Sequence, residues 1–186
     1  MKVLMSLLVT VGTLSLFASG YASTSDYSLH RDRTLVRFSS HSGLVRMSGT
    51  INGARGVIKY DPARPQDSAI DVSLDMNTLA TGSASLDRQL KSADYFDVDR
   101  FPTASFKSKS LKLTGDNRAD LTGDLTLHGV TRPVTIAVDF GPDQRISDGH
   151  PLVFSARFQI RRSQFGITKS QLLAGDRIEL LIEASL

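Results

Sequence analysis

The feature that most constrains this chain is a two-residue period in its apolar residues. In AIDVSLDM, residues 69–76, Ile70, Val72, Leu74 and Met76 fall on one side of an extended backbone, and Asp71, Ser73 and Asp75 on the other. Successive side chains of a strand point to opposite faces, so this segment reads as a strand with one dry and one wet face. The same period runs through Val134, Ile136, Val138 and Phe140, through Leu152, Phe154, Ala156, Phe158 and Ile160, and through Ile178, Leu180 and Ile182. It returns more weakly at Val36 and Phe38, at Leu121, Gly123, Leu125 and Leu127, and around Val57 and Ile58. With residues 44–60 taken as two strands or one bent one, about eight strands are expected.

Short breaks separate these runs: Asn52-Gly53, Asp61-Pro62, Gly115-Asp116, Gly141-Pro142, Asp148-Gly149 and Gly175-Asp176. Connections this short join antiparallel neighbours, because a parallel crossover needs a dozen or more residues. One window reads as helical, residues 83–97. There Ser83 or Ser85 can cap, Leu86 and Leu90 share a face, and Asp87 can pair with Lys91 at i+4. The expected fold class is therefore all-β: antiparallel strands whose dry faces are buried either in stacked sheets or in a closed barrel, with one short inserted helical segment. A barrel of about eight strands encloses enough space for side chains or one ligand, and a single helix suits a place over its open end.

The N-terminus reads as a secretory signal peptide over residues 1–22. Lys2 precedes an apolar run over residues 3–17, too short for a flanked membrane span, and small residues at Gly20 and Ala22 suit cleavage after Ala22. The remaining 23–186 would be a single exported domain in the periplasm. Loss of Lys2 would take the formal charge from +3 to +2. No basic stripe with interleaved aromatics occurs, which argues against nucleic acid as a partner. The absence of cysteine excludes a disulfide framework, and no later segment is apolar enough to span a membrane as a helix.

Catalytic chemistry has no motif behind it. His30, His41, His128 and His150 lack ligand spacing to one another or to carboxylates. Asp94, Asp97 and Asp99 form an acidic cluster without the glycine and terminal glutamate of a calcium loop. The stretch LTLHGVTRPV, residues 125–134, gathers His128, Thr131 and Arg132, but it sits where two alternating runs meet around Gly129. It reads as a hairpin connection, with Pro133 suited to the start of the returning strand. The phenylalanines and methionines fit an ordinary packed core as well as a cavity for a long hydrocarbon.

Several stretches together resemble one family: LKSADYFDV at 90–98, FPTASFKS at 101–108, GDLTLHGVTRPV at 123–134 and RSQFGI at 162–167, with GVIKYDP at 56–62. In order and spacing they resemble the YceI-like family of bacterial periplasmic proteins that bind polyisoprenoids and related lipids. The chain departs from that pattern at Arg33-Thr34, where the family often has His-Ser, and at Thr50 after Gly49, where an aromatic is usual. The resemblance implies an extended lipocalin-like barrel around an apolar channel, with no enzymatic activity, no metal and no required cofactor beyond a bound isoprenoid or acyl lipid.

Alternation then assigns the channel lining to Phe38, Met47, Leu74, Met76, Leu90, Phe96, Phe106, Leu125, Leu127, Ile136, Phe154, Phe158 and Phe165. Leu111 and Leu113, out of phase with Phe106, are left out. The leading expectation is non-enzymatic carriage, storage or sequestration of a quinone-like isoprenoid or an amphiphilic acyl lipid, by a monomer or homodimer in transient contact with the envelope. The alternatives are a protein-interaction module whose barrel is filled by its own side chains, and a quinone- or lipid-modifying enzyme using His41, His128 or the arginines as acid or base.

Overall fold

Every alternating run becomes a strand in the computed structural model of the protein, which describes residues 25–43, 45–61, 64–141, 153–169 and 175–186. The expected signal peptide, His150 and Leu152 lie outside the described residues. The strands are β1 (Ser25–Leu29), β2 (Thr34–Ser42), β3 (Val45–Ile51), β4 (Ala54–Tyr60), β5 (Ala69–Asp75), β6 (Thr103–Gly115), β7 (Arg118–Leu127), β8 (Val130–Phe140), β9 (Val153–Arg161) and β10 (Arg177–Ser185). One helix, α1 (Ala84–Lys91), follows β5. The strands form one antiparallel sheet in the order β1-β4-β5-β6-β7-β8-β9-β10-β2-β3, curled into a half-barrel.

The expectation of about eight strands is corrected to ten. Alternation does not mark β1 and β6. In β6 a register shift between Ser108 and Ser110 breaks the period, so the apolar residues before and after it fall out of step along the sequence. Residues 44–60 resolve as two strands, β3 and β4, turned by Asn52-Gly53.

The outer edge of β3 is met by the chain leaving β5. Thr50 donates its amide to the Ala80 carbonyl at 2.8 Å and accepts from the Ala80 amide at 3.0 Å. Asn52 donates to the Thr78 hydroxyl at 3.1 Å, and Asp75 to the Gly53 carbonyl at 3.2 Å. These bonds use part of a strand edge that would otherwise be a template for aggregation.

The helix is shorter than its expected span. Ser83 takes the N-cap position without a capping bond; the Asp87 carboxylate instead accepts from the Thr81 amide at 2.7 Å and its hydroxyl at 2.6 Å. Lys91 does not pair with Asp87 in a salt bridge but donates to the Asn77 carbonyl at 2.7 Å. Beyond α1 the chain turns. Phe96 and Val98 donate back to the Leu90 and Lys91 carbonyls, which folds Tyr95 and Phe96 under the helix end.

The β7–β8 hairpin closes on His128 at φ 51° and Gly129 at φ 72°. A two-residue turn with both residues left-handed matches the twist of the flanking strands. Pro133 is not the first residue of β8, which begins at Val130. The β8–β9 pairing starts only at Ala137, so Pro133 lies in a stretch with a partner on one side, where a missing amide is tolerated.

Candidate functional site

Inside the curl, the inward residues enclose two apolar chambers. The first has a volume of about 100 Å³ and is walled by side chains such as Val36, Ile58, Ile70, Phe106, Leu121 and Val138. The second, of about 70 Å³, lies towards α1 and is walled by Ile51, Leu79, Tyr95 and Ile178 among others. Leu74, Ala104, Leu125, Phe158 and Ile182 line both. They form a waist between two halves of one elongated interior.

The structure distributes the thirteen sequence-assigned residues as follows. Phe106, Ile136 and Phe154 line the first chamber. Phe38, Met47, Met76, Leu90, Phe96 and Leu127 line the second, and Leu74, Leu125 and Phe158 stand at the waist. Phe165 lines neither: it is buried in the turn after β9, where its carbonyl oxygen meets His128 Nδ1 at 3.1 Å. The alternation of β9 stops at Arg161, so its phase does not carry into that 3-10 turn.

Sequence reasoning missed Leu111, which lines the first chamber, while Leu113 is largely exposed. The bulge in β6 supplies the extra residue that returns Leu111 to the face of Phe106. A signal for it was present in the pairing: Leu111 faces Leu121 and Lys112 faces Asp120, whereas the unbulged register would set these pairs out of step. Thr34 and Tyr60 also line the first chamber.

Among the described residues, one charged side chain lines either chamber. Arg162 is 2% exposed and closes the end of the second. Its guanidinium donates to the carbonyls of Ile167 and Lys169 at 2.9 Å and of Gly175 at 3.2 Å. It therefore ties the chain after β9 to the start of β10. Beside it, the Ser163 hydroxyl and then its amide, at 3.0 Å, hold the Asp176 carboxyl below its ordinary range, although burial works the other way.

The polar residues of LTLHGVTRPV are structural. Besides the His128 bond to Phe165, Arg132 Nε donates to the Gln164 carbonyl at 3.2 Å, and the Thr126 and Thr131 hydroxyls meet at 2.8 Å. The His128 and Arg132 bonds fix the hairpin to the turn after β9, and the threonine pair braces the hairpin itself. His30 and His41 are exposed, and Asp94 and Asp97 are engaged separately with Lys169 and Arg100. Among the described residues no three His, Cys, Asp or Glu side chains converge as a metal site.

The curated relatives and the family model point to one family, and the solved structures share its fold. A UPF0312 protein of Ectopseudomonas mendocina is 35% identical over 172 residues, 90% of each chain. One of Pseudomonas savastanoi pv. phaseolicola is 36% identical over 163 residues, 86% of this chain and 84% of its own. Burkholderia cenocepacia BcnA shares the fold with a TM-score of 0.76 at 22% identity, over 85% of this chain and 99% of that one. A polyisoprenoid binding domain from Saccharophagus degradans, implicated in plant cell wall breakdown, shares it with a TM-score of 0.64 at 14% identity, over 88% and 100%. Residues 27–186 match the YceI-like domain model, and the chain belongs to the YceI-like family.

Proposed function

We propose that this protein binds a long apolar isoprenoid or acyl lipid inside its half-barrel, without catalysis, as an exported periplasmic carrier or store. The observation that carries this reading is the pair of apolar chambers joined at one five-residue waist. The family and the polyisoprenoid-binding relative in fold support binding rather than catalysis. The signal-peptide pattern of residues 1–22 supports export.

Magnitudes set the kind of ligand. An apolar cavity of about 150 Å³ takes one benzene, and the two chambers together are of that order. A long tail must therefore move side chains, at about 1–3 kcal/mol for a tightly packed site. Each buried methylene returns about 0.8 kcal/mol, against an association cost of roughly 4–15 kcal/mol. Break-even then falls between about six and about twenty-two buried carbons, so affinity grows with tail length and short fragments bind poorly. The methionines and phenylalanines at Met47, Met76, Phe38 and Phe158 are side chains that can swing to admit such a tail.

The small chamber volumes also favour a second reading, an interaction module filled by its own side chains. Organic-solvent extraction of the purified protein, followed by mass spectrometry, separates the two. A long-chain isoprenoid or acyl lipid in near-stoichiometric yield supports the binding reading. No lipid, together with no uptake of a labelled isoprenoid, sinks it and leaves the self-filled module.

A further inference from the structure

The wall of the first chamber is almost wholly apolar, but two of the residues that line it, Thr34 and Tyr60, carry hydroxyls and stand at the end away from the waist. Thr34 is 4% exposed, lines that chamber, and has the only buried side-chain oxygen without a hydrogen-bond partner among the described residues. Burying a hydroxyl unpaired is disfavoured, which marks Thr34 Oγ1 as a place for a hydrogen-bonding partner. Tyr60, 7% exposed, lines the same chamber.

Strand registers locate both residues away from the waist. On β2, Thr34 precedes Val36 of the first chamber, and Phe38 beyond it lines the second. On β4, Ala54 faces the waist residue Leu74, Ile58 faces Ile70, and Tyr60 lies further out along the same strand. A ligand whose tail runs through the waist towards α1 would therefore leave its head beside Thr34 and Tyr60.

We propose that Thr34 Oγ1 and the Tyr60 phenol form a head-group subsite for an uncharged hydrogen-bonding end, such as an alcohol, quinone carbonyl or amide. This inference rests on the lipid-binding reading and adds to it the ligand's orientation and the chemistry of its head. The charge of the site argues for a neutral group. Among the described residues no Lys, Arg or His lines the first chamber, and a buried anion without a cation is strongly disfavoured. Burial, and then the neighbouring Tyr27 and Asp61, push the Tyr60 phenol up from its ordinary value. The phenol therefore stays protonated as a donor. Arg162, the cation that lines the interior among the described residues, is at the opposite end, where it donates to backbone carbonyls.

The test uses the chain from Ser23, which holds every described strand, with geranylgeraniol, the hydrocarbon of the same skeleton, and geranylgeranyl phosphate as probes. The wild type should bind the alcohol most tightly. Thr34→Val should weaken the alcohol about three- to tenfold and leave the hydrocarbon unchanged. It should also raise the ligand-free melting temperature, because the orphan oxygen is gone. Tyr60→Phe should again weaken the alcohol selectively. Equal affinity of the wild type for alcohol and hydrocarbon, or an equal loss of both in the variants, overturns the head-group subsite while leaving lipid binding intact. The phosphate binding tightest overturns it by placing the head at Arg162. Failure of all three probes to bind, with no lipid extracted, overturns both readings.

Discussion

The ring of Phe38 occupies the place where a side chain at Gly49 would begin. A β-carbon on Gly49 would lie 2.5 Å from Phe38 Cζ and 2.5 Å from the Ala80 carbonyl oxygen. Phe38 faces Gly49 across the β2–β3 ladder, so glycine here gives the ring a bed of bare backbone and lets the chain after β5 approach β3. The ring could rotate away, but the carbonyl is fixed by the Thr50 amide at 2.8 Å. Gly49→Ala should therefore destabilise by about 1–3 kcal/mol. Each kcal/mol corresponds to roughly 2–4 °C in a domain of this size. Thermal unfolding checks this, and combining it with Phe38→Leu should recover only the part due to the ring.

The waist sets which tails fit. Ala104 is the smallest of its five residues and is 3% exposed. Ala104→Leu should close the passage and restrict uptake to tails short enough for one chamber, at an overpacking cost of about 1–3 kcal/mol. Phe158→Ala should widen the waist and favour bulkier tails, with a loss of about 3 kcal/mol or more of ligand-free stability. A series of isoprenols of increasing length, titrated into each variant, reads both effects; an unchanged length preference in both would show that the tail does not cross the waist.

Arg162 is a clamp. Arg162→Met leaves three buried or half-buried carbonyls without their donor, so denaturant titration should show a loss of about 3–5 kcal/mol. Arg162→Lys keeps the charge but not the planar fork, and should recover only a minor part of the loss.

Acid should loosen the same region. The Asp176 carboxyl is held below its ordinary value of 3.8 chiefly by the Ser163 hydroxyl. A depressed folded value contributes stability above the unfolded value, and this is lost as pH falls through the folded one. The loss therefore falls below about pH 4. The Thr81 hydroxyl and amide depress Asp87 in the same direction. Asp176→Asn should be less stable at neutral pH, and its stability should fall less steeply below pH 4, so that the two curves converge in acid. Parallel curves for wild type and variant would contradict the assignment.

The period of two made most of this architecture legible before any coordinates. In β7, Ala119, Leu121, Leu125 and Leu127 are all buried, and that face was readable from the spacing alone. What the period could not show were departures from it. The bulge at Ser108 and Ser110 changes the phase of β6 and brings Leu111 inside. The end of β9 releases Phe165 into a turn. Thr34 was invisible for a different reason: a threonine at the start of a strand looks like an ordinary β-former, and only its missing partner marks it. The division of the interior at Leu74, Leu125 and Phe158 depends on side chains converging from non-adjacent strands, which no local pattern encodes.

The central claim, that one tail occupies both chambers through the waist, can be tested most directly because the chain has no tryptophan. A single tryptophan introduced by Phe154→Trp would report on the first chamber, and one introduced by Phe96→Trp on the second. The exposed Val57→Trp position on the outer face serves as control. An acyl lipid brominated along a long tail should quench the first two and spare the third, and a short brominated tail should quench only one of the first two. Quenching of neither interior position, or equal quenching of the outer one, would contradict the claim.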